Sequence, residues 1–318
     1  MRWAIDADEA RARTLGAEFR VASGVRVATD YRQALDDPDV DAVAICLPHH
    51  LHAPVAVAAA EAGKHVLCEK PIATTLQEAD AMIAAAERAG VVLMIAENEQ
   101  FSLLYNKLRD LLTDGEIGRP ALVQLTRECY LTRSLVEDRP WFLDARSAAG
   151  GMMMSGGVHS FAALLMLIGD VESVYALRAR QRFVEMEGDD TSIAAVRFRD
   201  GTVGTLVESF VMKSLITAAG HEIHTLRVDG DCGSLVVRDG RTIRLFSERP
   251  ELQVGGALTE HDIYVPAEDT FLLEIEHFLT SIQTGLEPLT SGRAQRRPLE
   301  IVLAAYRSME SGQPVSLP

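Results

Sequence analysis

The chain has 318 residues, 47% hydrophobic and 24% charged, the make-up of a globular protein long enough for two cores. Its formal charge of −15 at pH 7 is spread along the sequence without a basic cluster, and a surface of that sign repels phosphate backbones and anionic lipid, which disfavours nucleic-acid and membrane-surface roles. The four cysteines form no CxxC pair and no apolar run is long enough to span a bilayer, so reduced thiols, a cytoplasmic location and small-molecule chemistry are expected.

In chain order, Arg2 to Asp6 reads as a strand ending in a carboxylate, and a charged helix follows from Glu9 to Phe19. Val25 to Ala28 is a short strand, and Asp30 caps a helix beginning at Tyr31. Two apolar runs, Ala42 to Leu47 and His65 to Cys68, then flank an alanine-rich segment, Pro54 to Ala62, that ends at Gly63. Runs apolar on both faces suit parallel strands covered by helices, and Pro near the start with Gly just past the end suits one crossover helix. Asp41 to Ala73 is therefore a βαβ unit. Because consecutive parallel strands point the same way, Pro48–His52 and Glu69–Pro71 emerge at one sheet edge. Open α/β sheets bind ligands in the crevice outside that edge, which is where Lys70 falls. A helix over Thr75–Ala89, closed by Gly90, and a strand over Val91–Ala96 complete this half.

The pattern changes at Glu97-Asn98, so the expected domains are residues 1–97 and 98–318. Phe101–Leu112 reads as a helix, and the turn-rich connector Asp114–Pro120 follows. Residues 121–129, 171–181, 192–198, 202–209, 224–229 and 234–237 partly alternate, with the hairpin signals Asp200-Gly201 and Asp239-Gly240 between runs. Helices near Glu268–Thr284 and Gln295–Ser311 close the chain. The fold class is α/β plus α+β: a Rossmann-like doubly wound parallel sheet, then a domain with a large open antiparallel sheet. Helices are scarce in the second half, so one face of that sheet lacks a cover and marks an interface. Between the first two strands of this half lies Gly150-Gly151-Met152-Met153-Met154-Ser155-Gly156-Gly157-Val158-His159, running into the apolar helix Ser160–Ile168.

Asp41-Ala42-Val43, Pro48-His49-His50-Leu51-His52, Ala62-Gly63-Lys64-His65-Val66, Glu69-Lys70-Pro71 and the glycine segment ending in His159 together resemble the glucose-fructose oxidoreductase, inositol 2-dehydrogenase and rhizopine-catabolism family of nicotinamide-dependent oxidoreductases. The resemblance implies NAD or NADP as cofactor, a sugar, cyclitol or related polyol as substrate, and homodimers or homotetramers built through the open sheet. It makes Lys70 and His159 the catalytic pair. A histidine on an apolar helix is by default a core residue, but a helix N-terminus favours a neutral base near pH 7. The expected cofactor side is Asp6, Leu47, Pro48, His49, His52, Glu69, Lys70, Pro71 and Asn98; Asp6 would meet the adenosine ribose, which favours NAD. Trp141 and Ser155, with His159, are expected to line the substrate pocket.

Two departures stand out. Ser155 occupies the position four before the histidine where the family usually has aspartate, and Ala162 stands where many relatives have another; a serine supplies no charge to stabilise imidazolium. In addition, no Gly-x-Gly occurs among the 23 glycines, and only five residues precede Asp6. The first domain is therefore expected to be N-terminally incomplete, Met1 to be an internal start, and the chain as written to bind NAD(H) poorly. The alternative function is a homologue deficient in cofactor binding that serves as a non-catalytic partner or ligand-binding protein. The His49, His50, His52 cluster lacks an acidic or cysteine partner at ligand spacing, so no metal is expected.

Overall fold

The computed structural model describes residues 1–18, 24–131, 137–183, 185–214, 217 and 222–318. Its first half contains β1 (Trp3–Ile5), α1 (Glu9–Glu18), β2 (Arg26–Ala28), the short α2 (Arg32–Leu35), β3 (Ala42–Ile45), α3 (His52–Glu61), β4 (His65–Glu69), α4 (Leu76–Ala89) and β5 (Leu93–Ala96). Phe19, the expected end of the first helix, lies outside the described residues. Local signals account for the helix ends. Thr75 caps α4 in a reciprocal box with Glu78, and Gly90 ends it in the left-handed region at φ 66°.

The strands of this half are parallel and joined by helical crossovers, as expected, but they fall into two sheets, β1–β2 and β3–β4–β5. No described strand lies between β1 and β3 to carry a continuous ladder, and side chains link the two groups instead. Asp37, buried ahead of β3, accepts hydrogen bonds from Arg2 Nε (2.8 Å), Trp3 Nε1 (2.9 Å) and an Arg26 guanidinium nitrogen (2.9 Å). The Arg2 bond first, then those from Trp3 and the Asp39 backbone N–H, hold its carboxyl well below the usual range. The Lys64 ammonium donates to the Asp37 carbonyl at 3.0 Å.

The second half contains α5 (Leu103–Thr113), β6 (Pro120–Glu128), the short α6 (Ala145–Ala148) and α7 (Met152–Ser155), α8 (Gly157–Leu167), β7 (Val171–Arg178), β8 (Thr191–Phe198), β9 (Val203–Ser209), β10 (Ile223–Gly230), β11 (Gly233–Val237), β12 (Thr242–Ser247), β13 (Glu260–Tyr264), α9 (Thr270–Thr284), α10 (Gly292–Ser311) and β14 (Val315–Ser316). Its strands form a sheet of nine in the order β13-β12-β11-β10-β6-β9-β8-β7-β14. Both expected hairpins form, at Gly201 between β8 and β9 and at Gly240 between β11 and β12, each glycine at positive φ. The sheet is mixed, not purely antiparallel as expected, because β6 and β9 pair in parallel at its centre. A tight turn forces antiparallel pairing, whereas β6 reaches β9 by a long crossover carrying α6–α8, β7 and β8, which imposes no reversal.

Helices α8 and α10 cover one face of this sheet, and β-strand alternation sends Val123, Leu125, Val196, Leu206 and Val228 into the core beneath them. On the other face Leu177, Ile193, Val203 and Tyr264 are 45%, 47%, 40% and 66% exposed. Helix α10 also packs back on α4 and β5, and just before it the Thr290 carbonyl accepts from the Ile95 N–H while the Thr290 hydroxyl donates to the Ile95 carbonyl at 2.7 Å, so this end of the chain is fastened to the parallel strands.

Candidate active site

The site lies where the carboxyl ends of β4 and β5 meet α8. Lys70 follows β4 directly and is joined to Pro71 by a cis peptide bond. Its ammonium donates to the Ser155 carbonyl at 2.8 Å and approaches the Ser155 Oγ at 3.4 Å. Burial lowers the proton affinity of this amine, and the carboxylates of Glu97 and then Glu69 oppose that effect. Lys70 and the glycine segment, 85 residues apart in sequence, are thus brought together through Ser155.

The glycines of that segment are there for close backbone approach. A Cβ on Gly151 would lie 2.0 Å from the Asp189 carbonyl oxygen, and one on Gly188 would lie 2.3 Å from that of Gly150. Asp189, 5% exposed, accepts from the N–H groups of Gly151 (3.1 Å) and Met153 (2.9 Å) and from the Tyr306 hydroxyl (2.7 Å). The Tyr306 oxygen in turn accepts from the N–H groups of Gly151 and Met154. Met152, Met153 and Met154 are buried in the core, each worth about 1.5–3 kcal/mol of apolar burial, which holds α7 from beneath. Ser155 and His159 therefore stand on a backbone fixed from both sides.

His159 lies in the first turn of α8, its side chain 11% exposed, and its Nδ1 lies 2.6 Å from Glu97 Oε1. Glu97 immediately follows β5 and is fully buried. Below this pair, one row crosses the large sheet: Glu208 of β9 and His224 of β10 are both register partners of Arg127 on β6. Arg127 donates to both Glu99 oxygens at 2.6 and 2.7 Å. Burial pushes the Glu99 carboxyl up, but the Arg127 charge outweighs it and holds it at about 2. Glu208 shares the same arginine without a direct bond; burial pushes its carboxyl up to about 8, so it is neutral at pH 7, and it binds the Ser160 hydroxyl. Burial and then Arg127 bring His224 down to about 4, leaving it neutral, at 2.9 Å from the Tyr105 hydroxyl. The floor is thus one ionised pair with neutral polar neighbours. Glu97, Glu99 and His159 each bring a ligand-type atom within 4.8 Å of the others, and Arg127 already supplies the counter-charge there.

The remaining expected residues are distributed as follows. Leu47 and Pro48 are half-buried at the carboxyl end of β3. His49 Nδ1 meets the Ala148 carbonyl at 2.7 Å, with its ring 5.0 Å from Trp141; burial brings it down to about 3, so a neutral ring donates. His52 has no exposed surface, and its two ring nitrogens lie 2.8 Å from the carbonyls of Pro71 and Leu47. It ties the turn after β3 to the turn after β4 from beneath. Glu69 accepts from its neighbour's backbone N–H at 3.2 Å, and Pro71 is buried. The Asn98 amide donates to Thr270 Oγ1 at 2.7 Å, docking the start of α9 beside the site. Asp6, half-buried at the end of β1, accepts from the Asp8 N–H at 2.8 Å. A cavity of about 340 Å³ lies elsewhere, at the opposite edge of β4 and β5, lined by His65, Val91, Leu93, Leu286 and Arg293 among others.

Sequence reasoning passed over Glu97, Glu99, Arg127, Glu208 and His224. The signal for Glu97 was its place after a parallel strand, the rule that singled out Lys70. For Arg127 and Glu208 it was a charge on the apolar parity of a strand: Val123, Leu125, Arg127 and Gly204, Leu206, Glu208.

The ammonium at the carboxyl edge of the parallel layer thus stands beside the Glu97–His159 pair, which joins the end of β5 to α8. Comparison with known proteins identifies the family. The model of an oxidoreductase family with an NAD-binding Rossmann fold matches residues 2–97, and that of the GFO/IDH/MocA C-terminal domain matches residues 105–236. The chain is 30% identical over 302 residues to 1,5-anhydro-D-fructose reductase of Ensifer adhaerens, covering 94% of this chain and 86% of that protein. It is 26% identical over 318 residues to myo-inositol 2-dehydrogenase of Thermotoga maritima, covering 94% and 87%. A solved levoglucosan dehydrogenase in complex with NADH and levoglucosan shares the fold, with a TM-score of 0.88 at 23% identity over 100% of this chain and 90% of that one. The chain belongs to the GFO/IDH/MocA family. It is an NAD(P)-dependent oxidoreductase.

Proposed function

We propose that the protein interconverts a secondary alcohol and a ketone on a sugar, cyclitol or related polyol, with Lys70 and His159 as its catalytic residues. The observation that carries this reading is the convergence of the Lys70 ammonium and the glycine segment bearing His159 through the 2.8 Å bond to the Ser155 carbonyl. The relatives named for anhydrofructose and inositol support the substrate class. When bound, the nicotinamide cofactor supplies or accepts the hydride. The residues at the sheet edge fit its reactive end: a cation beside Glu69, with His159 across the crevice. Asp6, Pro48, Glu69 and Lys70 would hold it, and a ribose-facing Asp6 favours NAD over NADP.

Within that crevice Lys70 stabilises negative charge developing on the substrate oxygen, and His159 takes or returns the hydroxyl proton. A half-buried ammonium is effective here because fewer competing water dipoles screen it than at an open surface. Ser155 and Trp141 line the substrate side. Arg127 provides the fixed positive charge at the floor, so no protein-bound metal enters the reading. The apolar open face of the nine-stranded sheet supports assembly into homodimers or homotetramers. No single helix among the described residues is long and apolar enough to cross a membrane.

The test is turnover of NAD⁺ and NADP⁺ with a panel of aldoses, anhydrosugars and inositols, followed by nicotinamide absorbance. Reduction of the cofactor by at least one cyclic polyol, lost in Lys70→Ala and His159→Ala, is expected. A panel with no redox turnover by folded protein refutes the reading.

A further inference from the structure

We infer that Glu97 is the positioning carboxylate of His159, supplying from the parallel sheet the negative charge that Ser155 does not provide. The inference rests on the reading of His159 as the proton-transferring residue. Its geometric basis stands apart from that reading: Glu97 Oε1 lies 2.6 Å from His159 Nδ1, and Glu97 has no exposed surface. Its Oε2 atom is buried with no hydrogen-bond partner. A buried carboxylate gains most from a partner able to carry positive charge, and the imidazole is bonded to it directly.

Position 155 is where the family resemblance puts a carboxylate, yet the Ser155 contacts run to Lys70 and not to the imidazole. The other titratable groups that act on the two partners are Glu99 of the same turn, Lys70 after β4, Tyr105 of α5, His224 of β10 and Glu274 of α9. Glu99 is engaged by Arg127, and His224 by Tyr105. Glu97 is thus the carboxylate in hydrogen-bond contact with His159 among the described residues. It is also carried on a rigid element, because it follows β5, whose Ala96 is in register with Glu69 of β4. The acid and the lysine stand at adjacent strand ends, so their spacing is set by the sheet and not by a loop.

Occupation of Nδ1 has a chemical consequence. With its N–H donated to Glu97, the ring presents the Nε2 lone pair to substrate, the tautomer a general base needs. In alcohol oxidation, Nε2 takes the hydroxyl proton as the carbinol C–H bond breaks, the hydride passes to the cofactor and the C–O bond becomes a carbonyl. The proton then rests on an imidazolium paired with Glu97. Reduction runs the same steps backwards, and charge balances in both directions.

The experiment follows by NMR the histidine signals of protein labelled at histidine Cε1, nine in all, with the His159 signal assigned by its loss in His159→Asn. In Glu97→Gln the titration midpoint of that signal should fall by about one pH unit or more, and in Glu97→Gln/Ser155→Asp it should move back up. Glu97→Asp, which keeps the charge on a shorter arm, should give a smaller fall and covers the case in which the glutamine variant does not fold. In parallel, with NAD⁺ and myo-inositol as probes, Glu97→Gln should lower kcat about 10²-fold while KM changes less than about threefold, with the acid limb of the pH profile displaced the same way. An unmoved His159 midpoint in a folded Glu97 variant overturns the inference. A moved midpoint with unchanged kcat upholds the pairing and overturns the acid–base role of His159.

Discussion

Lys70 illustrates how one side chain depends on two distant segments. Its position is legible in the sequence, since a lysine directly after an apolar strand of a βαβ unit must emerge at the ligand edge. Its partner is not legible, because the carbonyl it binds belongs to residue 155. In the proposed reaction an ammonium so held acts as oxyanion character develops and less in the ground state. Lys70→Ala should therefore lower kcat by about 10²–10³-fold while the affinity for NADH, measured by calorimetry, changes only a few-fold. Equal losses in both would make Lys70 a binding residue. The histidines after β3 teach the converse. His52, expected on the cofactor side, is buried with two carbonyls against its ring nitrogens and ties the two turns together.

Among the elements, the glycine segment is the one whose sequence is most constrained by packing. Gly151 passes so close to Asp189, and Gly188 to Gly150, that a single methyl group on either has no room, and the obstacle is backbone, which cannot rotate away. Gly151→Ala should cost on the order of 2 kcal/mol or more, seen as a lowered Tm, and should lower turnover by shifting Ser155 and His159 together. A variant with wild-type Tm and kcat would show that the segment can open without consequence. Helix α4 represents the opposite case: its ends follow from Thr75, Glu78 and Gly90 alone, because capping is a contact among neighbours in sequence.

For the whole molecule, burial of Glu208 ties stability to pH. The folded-state value of about 8 lies above that of an exposed glutamate, so the folded form holds a proton that the unfolded chain has released. The resulting stability is fully present below about pH 4.5 and is lost as pH rises toward about 8, by an amount on the order of a few kcal/mol. Denaturant titrations at pH 5.5 and 8.5 should show the wild type losing more stability over this interval than Glu208→Gln; equal slopes would mean that Glu208 is already ionised. The open sheet face yields a second prediction at this scale. Ile193→Asp places a charge on an apolar face with Leu177 opposite it in the register, and light scattering should show smaller particles than the wild-type assembly. A wild-type monomer, or an unchanged mass in the variant, would remove the sheet face as the interface.

The parallel unit, the hairpins, the carboxyl edge carrying Lys70 and the glycine segment leading to His159 are legible along the chain, because each depends on periodicity, turn chemistry or order in sequence. That the large sheet is mixed and that β1–β2 stands apart from β3–β5 follows from the assembled fold. It alone placed Glu208 and His224 on either side of Arg127, and Glu97 on His159. Strand register and side-chain pairing between segments 62 to 99 residues apart arise from packing, and packing is a property of the assembled surfaces that no local pattern encodes.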